Sequence, residues 1–193
     1  DEIFADQLRV AAGSRPIILA ASTHSPEEQI LLKASQEVVR AGYPHLLIIA
    51  PRHSDRSQDI ARLMPQAAHR SKNQLPLLGD NHFLADSFGE MNSLVTAADI
   101  VILGGSFVPK GGHNPLEIAA LSTPLITGPS QFKNKVEFDT LQQYGQCITV
   151  KDGATLVKQL TIWLEALRTD GRAIPQDNLD KACAYVKQAC ERP

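Results

Sequence analysis

Short, solidly apolar runs take turns with longer segments of helical period along this chain, and no other feature restricts its fold as much. Residues 17–21, 46–50, 100–103, 124–127 and 147–150 read as strands. The clearest of them are apolar throughout rather than alternating, as strands covered on both faces are. Two weaker strand candidates, residues 67–69 and 77–79, flank a loop over 71–76. Between the strands lie helical patterns. Ser25-Pro26-Glu27-Glu28 opens the first, with Ser25 as cap and Glu28 completing a capping box. Ile30, Leu31, Ala34, Val38 and Ala41 carry its period and Gly42 closes it. Further helices are expected over residues 55–64, 88–98, 115–121 and 136–144. Asp152 caps a long helix through Trp163 and Leu167, ended by Gly171 and Pro175, and residues 178–190 form the last. Strand and helix in regular exchange predict an α/β fold: a parallel sheet with helices on both faces. Residues 1–14 read as a lead-in segment and residues 15–193 as the domain proper.

Composition narrows the function. Nineteen Lys+Arg against 21 Asp+Glu leave a net charge of -2, and aromatics are 5%. A basic field and a stacking platform are both missing, so nucleic acid is not an expected partner. Cys147, Cys183 and Cys190 are too few and too unevenly placed for a disulfide framework and lack zinc spacing. They read as small apolar side chains. Apolar runs such as residues 46–50 are far too short to cross a bilayer, and Asp1-Glu2-Ile3-Phe4 has no signal core. The chain does not begin with Met, which fits a processed product or a piece of something longer.

Ligands of open parallel sheets bind at the carboxyl ends of strands. Small, polar and basic residues collect there: Ser22-Thr23-His24, Arg52-His53, Gly104-Gly105-Ser106, then Gly111-Gly112-His113-Asn114-Pro115-Leu116-Glu117. Together they describe one rim suited to an anion. The glycines let backbone N–H groups approach a phosphate, and a helix start adds partial positive charge. Asn114 and Glu117 form either a capping box or a phosphate and ribose contact. Arg52 is either a solvated strand-end charge or a nucleotide contact. Neither a dinucleotide fingerprint nor a P-loop fits the spacing. His24, His53 and His113 lie on three separate loops without the spacing of a metal site, so no metal ligand set is expected.

Ala20-Ala21-Ser22-Thr23-His24, Ala50-Pro51-Arg52-His53, Gly104-Gly105-Ser106 and Gly111-Gly112-His113-Asn114-Pro115-Leu116-Glu117, in this order, resemble the C-terminal half of the Kdo transferases. Kdo is 3-deoxy-D-manno-oct-2-ulosonic acid. The resemblance implies a GT-B glycosyltransferase, with two Rossmann-like domains facing a cleft. Such enzymes move Kdo from CMP-Kdo onto a lipid A precursor in lipopolysaccharide synthesis, with inversion and without metal or cofactor, at the cytoplasmic face of the bacterial inner membrane. This chain then corresponds to the domain that holds CMP-Kdo, and an N-terminal acceptor domain with the catalytic base is expected elsewhere. By family pattern Glu117 binds the ribose hydroxyls, Asn114 and the glycine backbone hold the phosphate, and Arg52 contacts the nucleotide. Ser22 and its neighbours face the cleft. The sequence departs from the pattern at Ile118, where the family has Pro, and at Ser130 and Lys133, which bears on sugar or acceptor contacts from that loop. Other readings are a different GT-B nucleotide-sugar enzyme, a hexosamine transferase or an epimerase, and a non-catalytic nucleotide-binding module.

Overall fold

The computed structural model describes residues 2–190. In chain order the elements are α1 (Glu2–Ala12), β1 (Ile17–Thr23), α2 (Glu27–Arg40), β2 (Leu46–Pro51), α3 (Ser57–Leu63), β3 (Ala68–His69), β4 (His82–Leu84), α4 (Met91–Ala97), β5 (Ile100–Leu103), α5 (Leu116–Ala119), β6 (Leu125–Thr127), α6 (Lys135–Gln143), β7 (Cys147–Thr149), α7 (Gly153–Asp170) and α8 (Gln176–Cys190). The seven strands form one sheet in the order β3-β4-β2-β1-β5-β6-β7, with every pairing parallel.

The unbroken apolar runs are explained by the two cores. Ile17, Leu19 and Ala21 of β1 face one side, packed with Phe4 and Leu8 of α1, Leu94 of α4 and Phe138 of α6. Ile18 and Ala20 face the other, packed with Leu31 of α2, Ile60 of α3, and Leu156 and Trp163 of α7. A side chain on either face of a central strand must therefore be apolar. Each such burial contributes on the order of 1.5–3 kcal/mol. The long helix α7 starts as its sequence indicates: Asp152 Oδ1 accepts the Thr155 N–H at 2.8 Å, and Gly171 ends the helix at φ 70. Burial raises the Cys147 thiol, consistent with an inert core residue. The side chain of Cys190 lies outside the described residues. Among the described residues no helix is long and apolar enough to cross a membrane.

Some elements differ from expectation. No strand forms over 77–79. The Asp80 carboxylate accepts the Leu77 N–H at 2.8 Å and folds this stretch into a turn, leaving Leu77 and Leu78 exposed. The strand lies further on, at β4, where Phe83 and Leu84 are buried between β2 and β3. α4 begins at Met91, not at residue 88. Residues 54–56 make a 3-10 turn before α3.

The start of α2 is the most informative difference. Ser25 makes no cap; the helix begins at Glu27, preceded by Pro26. Glu28 does not reach back; its carboxylate pairs with both terminal nitrogens of Arg56 at 2.8 and 2.9 Å. The neighbouring Glu27 turns inward. It is fully buried, and its carboxylate accepts the backbone N–H groups of His24 (2.8 Å), Gly105 (2.8 Å), Ser106 (3.1 Å) and Phe107 (2.9 Å). One side chain thus ties the end of β1 and the start of α2 to the loop after β5. We expect Glu27→Gln to destabilise the protein by about 2–4 kcal/mol, because an amide has one acceptor oxygen and turns N–H groups toward backbone donors. Urea unfolding measures it. A change below about 0.5 kcal/mol, the ordinary level for an incidental surface substitution, would mean that the charge holds nothing together.

Candidate functional site

The order of the sheet reverses between β1 and β5: β2, β4 and β3 lie on one side of β1, and the chain then crosses to place β5 on the other. The carboxyl ends of these two strands are the switch point, where a crevice opens. β1 does not run straight into it. Ser22 has φ 55, and the register with β2 shifts between Ala21 and Thr23. A left-handed residue at a strand end is a bulge that re-aims a side chain. Across from it, a Cβ on Gly104 would sit 2.4 Å from the Ser22 carbonyl oxygen, so only glycine lets the two ends approach. Gly105 follows at φ 69, and a Cβ there would press on the His113 ring at 3.3 Å and the His24 ring at 3.5 Å.

Three histidines gather over that floor. His24 Nε2 and His113 Nε2 are 3.0 Å apart, and the His53 ring stands edge-on to His24 at 5.8 Å between centroids. Among the described residues no group of three or more His, Cys, Asp or Glu side chains could hold a metal ion. Burial, His24, Arg52 and Lys133 push His113 down to about 4, against a backbone hydrogen bond at Ser22 that favours its charged form. Burial first, then His53, Lys110 and Arg56, also lower His24. Burial alone would raise the Glu28 carboxyl; the hydrogen bond and charge of Arg56, with Thr23 and the backbone N–H, together outweigh it and hold the group below its ordinary range.

The glycine-rich loops are built differently from an open phosphate cradle. The N–H groups of Gly105, Ser106 and Phe107 already point at Glu27. The Gly104 N–H donates to the Ala21 carbonyl and the Gly112 N–H to the Gly105 carbonyl, both at 2.8 Å. The Gly111 N–H donates to Ser130 Oγ at 3.0 Å, which gives Ser130 a place in shaping the loop. Asn114 Oδ1 accepts the Leu116 N–H at 3.0 Å, and Glu117 makes no return bond to Asn114 among the described residues. This is an Asx turn to the second residue on, not a capping box, and Glu117 keeps a solvent-facing carboxylate. α5 spans only Leu116–Ala119, so its dipole is small. Among the described residues the N–H groups of His113 and Asn114 have no backbone or side-chain acceptor.

A cavity at the switch point is lined by Ser22, Arg52, His113, Asn114 and Glu117, joined by Met91, Asn92 and Val95 of α4. His24 and His53 stand beside it. Thr23 and Ser106 do not face it. Thr23 is buried and its carbonyl accepts the Arg52 N–H at 3.0 Å. Ser106 Oγ accepts the Gly128 N–H at 2.7 Å and donates to the Leu103 carbonyl, binding the ends of β5 and β6 together. Sequence reasoning passed over the α4 residues, because Met91 and Val95 fit the period of a core helix and Asn92 carries no pattern. Their place follows from topology: a helix entering β5 of a parallel sheet starts at the rim where the strands end. Arg52, Lys110 and Lys133 form no ion pair among the described residues. The rim therefore holds free positive charge next to one free carboxylate.

No protein-family model matches the chain. It is 44% identical over 123 residues to a 3-deoxy-D-manno-octulosonic acid transferase of Haemophilus influenzae, covering 61% of this chain and 29% of that protein. It is 32% identical over 164 residues to the transferase of the same name from Rickettsia conorii, covering 83% of this chain and 35% of that one. The chain thus spans about a third of the length of these curated relatives. Among solved structures, the C-terminal CMP-Kdo binding domain of WaaA from Acinetobacter baumannii superposes with a TM-score of 0.78 at 25% identity, each chain covered in full. The spinosyn rhamnosyltransferase SpnG shares the fold at a TM-score of 0.56 and 15% identity, over 95% of this chain and 44% of its own. The sheet is that of the C-terminal Rossmann-like domain of a GT-B glycosyltransferase. With its motif blocks gathered at one switch point, and with these relatives, the chain belongs to the Kdo transferase family and has the fold of its C-terminal domain.

Proposed function

We propose that this chain is the donor-binding domain of a Kdo transferase, holding CMP-Kdo while Kdo passes to a lipid A precursor at the cytoplasmic face of the inner membrane. One observation carries the reading: the cavity at the switch point pairs an unengaged cation, Arg52, with an unengaged carboxylate, Glu117. A nucleotide sugar needs both. Its phosphate attracts a guanidinium, and its ribose diol donates two hydrogen bonds to a carboxylate. Arg52, with the N–H groups of His113 and Asn114, takes the phosphate in this reading. Glu117 takes the ribose, and Ser22, His24 and His113 line the side toward the sugar. Thr23, Gly104, Gly105, Ser106, Gly111 and Gly112 shape the wall rather than touch the ligand, and His53 backs His24. Residues 15–193 form the binding domain, with residues 1–14 as a segment whose Phe4 and Leu8 are packed into its core. No metal or cofactor is required for these roles. A partner domain supplies the acceptor site.

Replacing Glu117 by Gln should weaken CMP binding by about 1–3 kcal/mol, the usual cost of a lost charge-assisted hydrogen bond. The 2′-deoxy nucleotide should lose less, since it offers one hydroxyl fewer. Calorimetric titration of both nucleotides against both proteins decides the point; equal losses would count against the ribose role. Binding of UDP in preference to CMP would favour a different nucleotide-sugar enzyme.

This chain alone should bind CMP and transfer nothing. Inverting transfer to a hydroxyl needs a base within hydrogen-bond reach of the acceptor. Glu27 and Glu28 are committed to the backbone and to Arg56, and Asp99 sits at the opposite end of β5, bonded to Arg9 and the Ile17 N–H. With CMP-Kdo and a lipid A precursor supplied, mass spectrometry should find no Kdo-bearing product. Steady product formation that His24→Ala abolishes would place a complete reaction centre within this chain.

A further inference from the structure

His24 and His113 do more than line a wall. Their Nε2 atoms lie 3.0 Å apart, with ring planes 7° from parallel. Two neutral imidazoles at this separation share one hydrogen, one ring donating and the other accepting. One added proton, on the outer nitrogen of the donor ring, leaves that bridge intact and makes it charge-assisted. A second would set donor against donor. The pair therefore has two settled states that differ by a single proton.

Its surroundings decide which is occupied. From the end of β2 come Arg52 and His53, and from the following turn Asp55 and Arg56, with Asp59 of α3 also beside that arginine. The loop after β5 brings Lys110 and the loop after β6 brings Lys133. On the acidic side α2 offers Glu27 and Glu28, but Glu27 is held by backbone N–H groups and Glu28 by Arg56. Glu117 of α5 lines the same cavity as His113 without bonding to it. Cations outnumber available anions around the pair, and with burial they disfavour a proton on it in the free protein. A phosphate placed beside Arg52 reverses that balance.

We propose that the His24–His113 pair takes up one proton when a phosphate-bearing ligand enters the cavity, and so determines specificity for the ligand's charge. The inference rests on the donor-site reading above and adds to it a proton-linked discrimination between charged and uncharged nucleosides. The sign follows from linkage: the ligand favours the protonated pair, so affinity rises as pH falls toward the range where the free pair itself titrates. The reverse slope would require release.

The test uses the 193-residue chain and the 5′-methyl phosphodiester of CMP, whose phosphate does not titrate in the range examined. Histidine ring C–H signals, assigned with His24→Asn, His53→Asn and His113→Asn, are followed by NMR from pH 8 to pH 5.5. In the free protein both rings should titrate below the ordinary histidine range. With the diester bound, one of them should titrate with its midpoint raised by roughly one to two pK units. Diester affinity should increase about 3- to 10-fold from pH 7.5 to 5.5, while that of uncharged cytidine stays flat. Diester binding with no titration of either ring, or equal pH dependence for cytidine, overturns the inference and leaves the donor-site reading standing. Failure of both diester and cytidine to bind overturns the donor-site reading and the inference with it.

Discussion

A buried carboxylate holding four backbone N–H groups organises this end of the sheet. Glu27 is fully buried, and such a charge is tolerated only when its oxygens are well supplied with donors. Its donors come from two places distant in sequence, His24 just before α2 and the loop 105–107 after β5. The carboxylate acts as an internal anion. It fills a nest of N–H groups that the glycine-rich loop would otherwise present to solvent, and it freezes that loop against β1. Gly105 is thereby fixed as the floor under His24 and His113, and its carbonyl is fixed where it accepts the Gly112 N–H. The cavity wall is assembled from this one bond set outward.

The adjacent glutamate works in the opposite sense. Consecutive helix residues point about 100° apart, so when Glu27 enters the β5 loop, Glu28 faces the turn after β2 and meets Arg56 in a two-pronged pair. Both glutamates are removed from the ligand face. Arg52, Lys110 and Lys133 keep their charge unopposed by an ion pair among the described residues. The domain has a slight net negative charge, -2, and still presents a positive rim. The arrangement is local and cannot be inferred from net charge.

Much of this was legible in the sequence. The strands at 17, 46 and 100 were plain because both faces of a central strand are buried, and Asp152 announced α7 through its cap. The rim also was legible, because a parallel sheet puts every strand's carboxyl end on one side. What stayed hidden was set by long-range contact. β4 has three residues and opens on a histidine, while Leu77 and Leu78 look more strand-like and lie in a turn, exposed, because Asp80 closes on the Leu77 N–H. Ser25 and Glu28 satisfied the capping pattern, yet Glu27 was the residue that mattered, and three of its four partners lie 78 to 80 residues away. The glycine loops advertised free N–H groups that the fold had already assigned to Glu27, Ser130 and the Gly105 carbonyl. Asn92 was silent for the same reason: only the return of the chain to β5 brings it to the cavity.

The groups left open at this rim are therefore mostly side chains rather than backbone N–H groups. A nest of N–H groups holds any anion of the right size, and here that nest is closed by the protein's own carboxylate. What remains open is one guanidinium, two ammonium groups, a histidine pair, one carboxylate and the N–H groups of His113 and Asn114, spread over the segments that follow β1, β2, β5 and β6. Such a set recognises a ligand by the spacing of its charges. In the donor-site reading proposed above, a phosphate alone would satisfy Arg52 and leave Glu117 in water, while a neutral nucleoside would satisfy Glu117 and leave the cations unbalanced. In that reading a ligand carrying both a diol and an anion, as a nucleotide does, answers both. Arg52, just past the end of β2, and Glu117, in α5, reach the same cavity because the strand order reverses between β1 and β5.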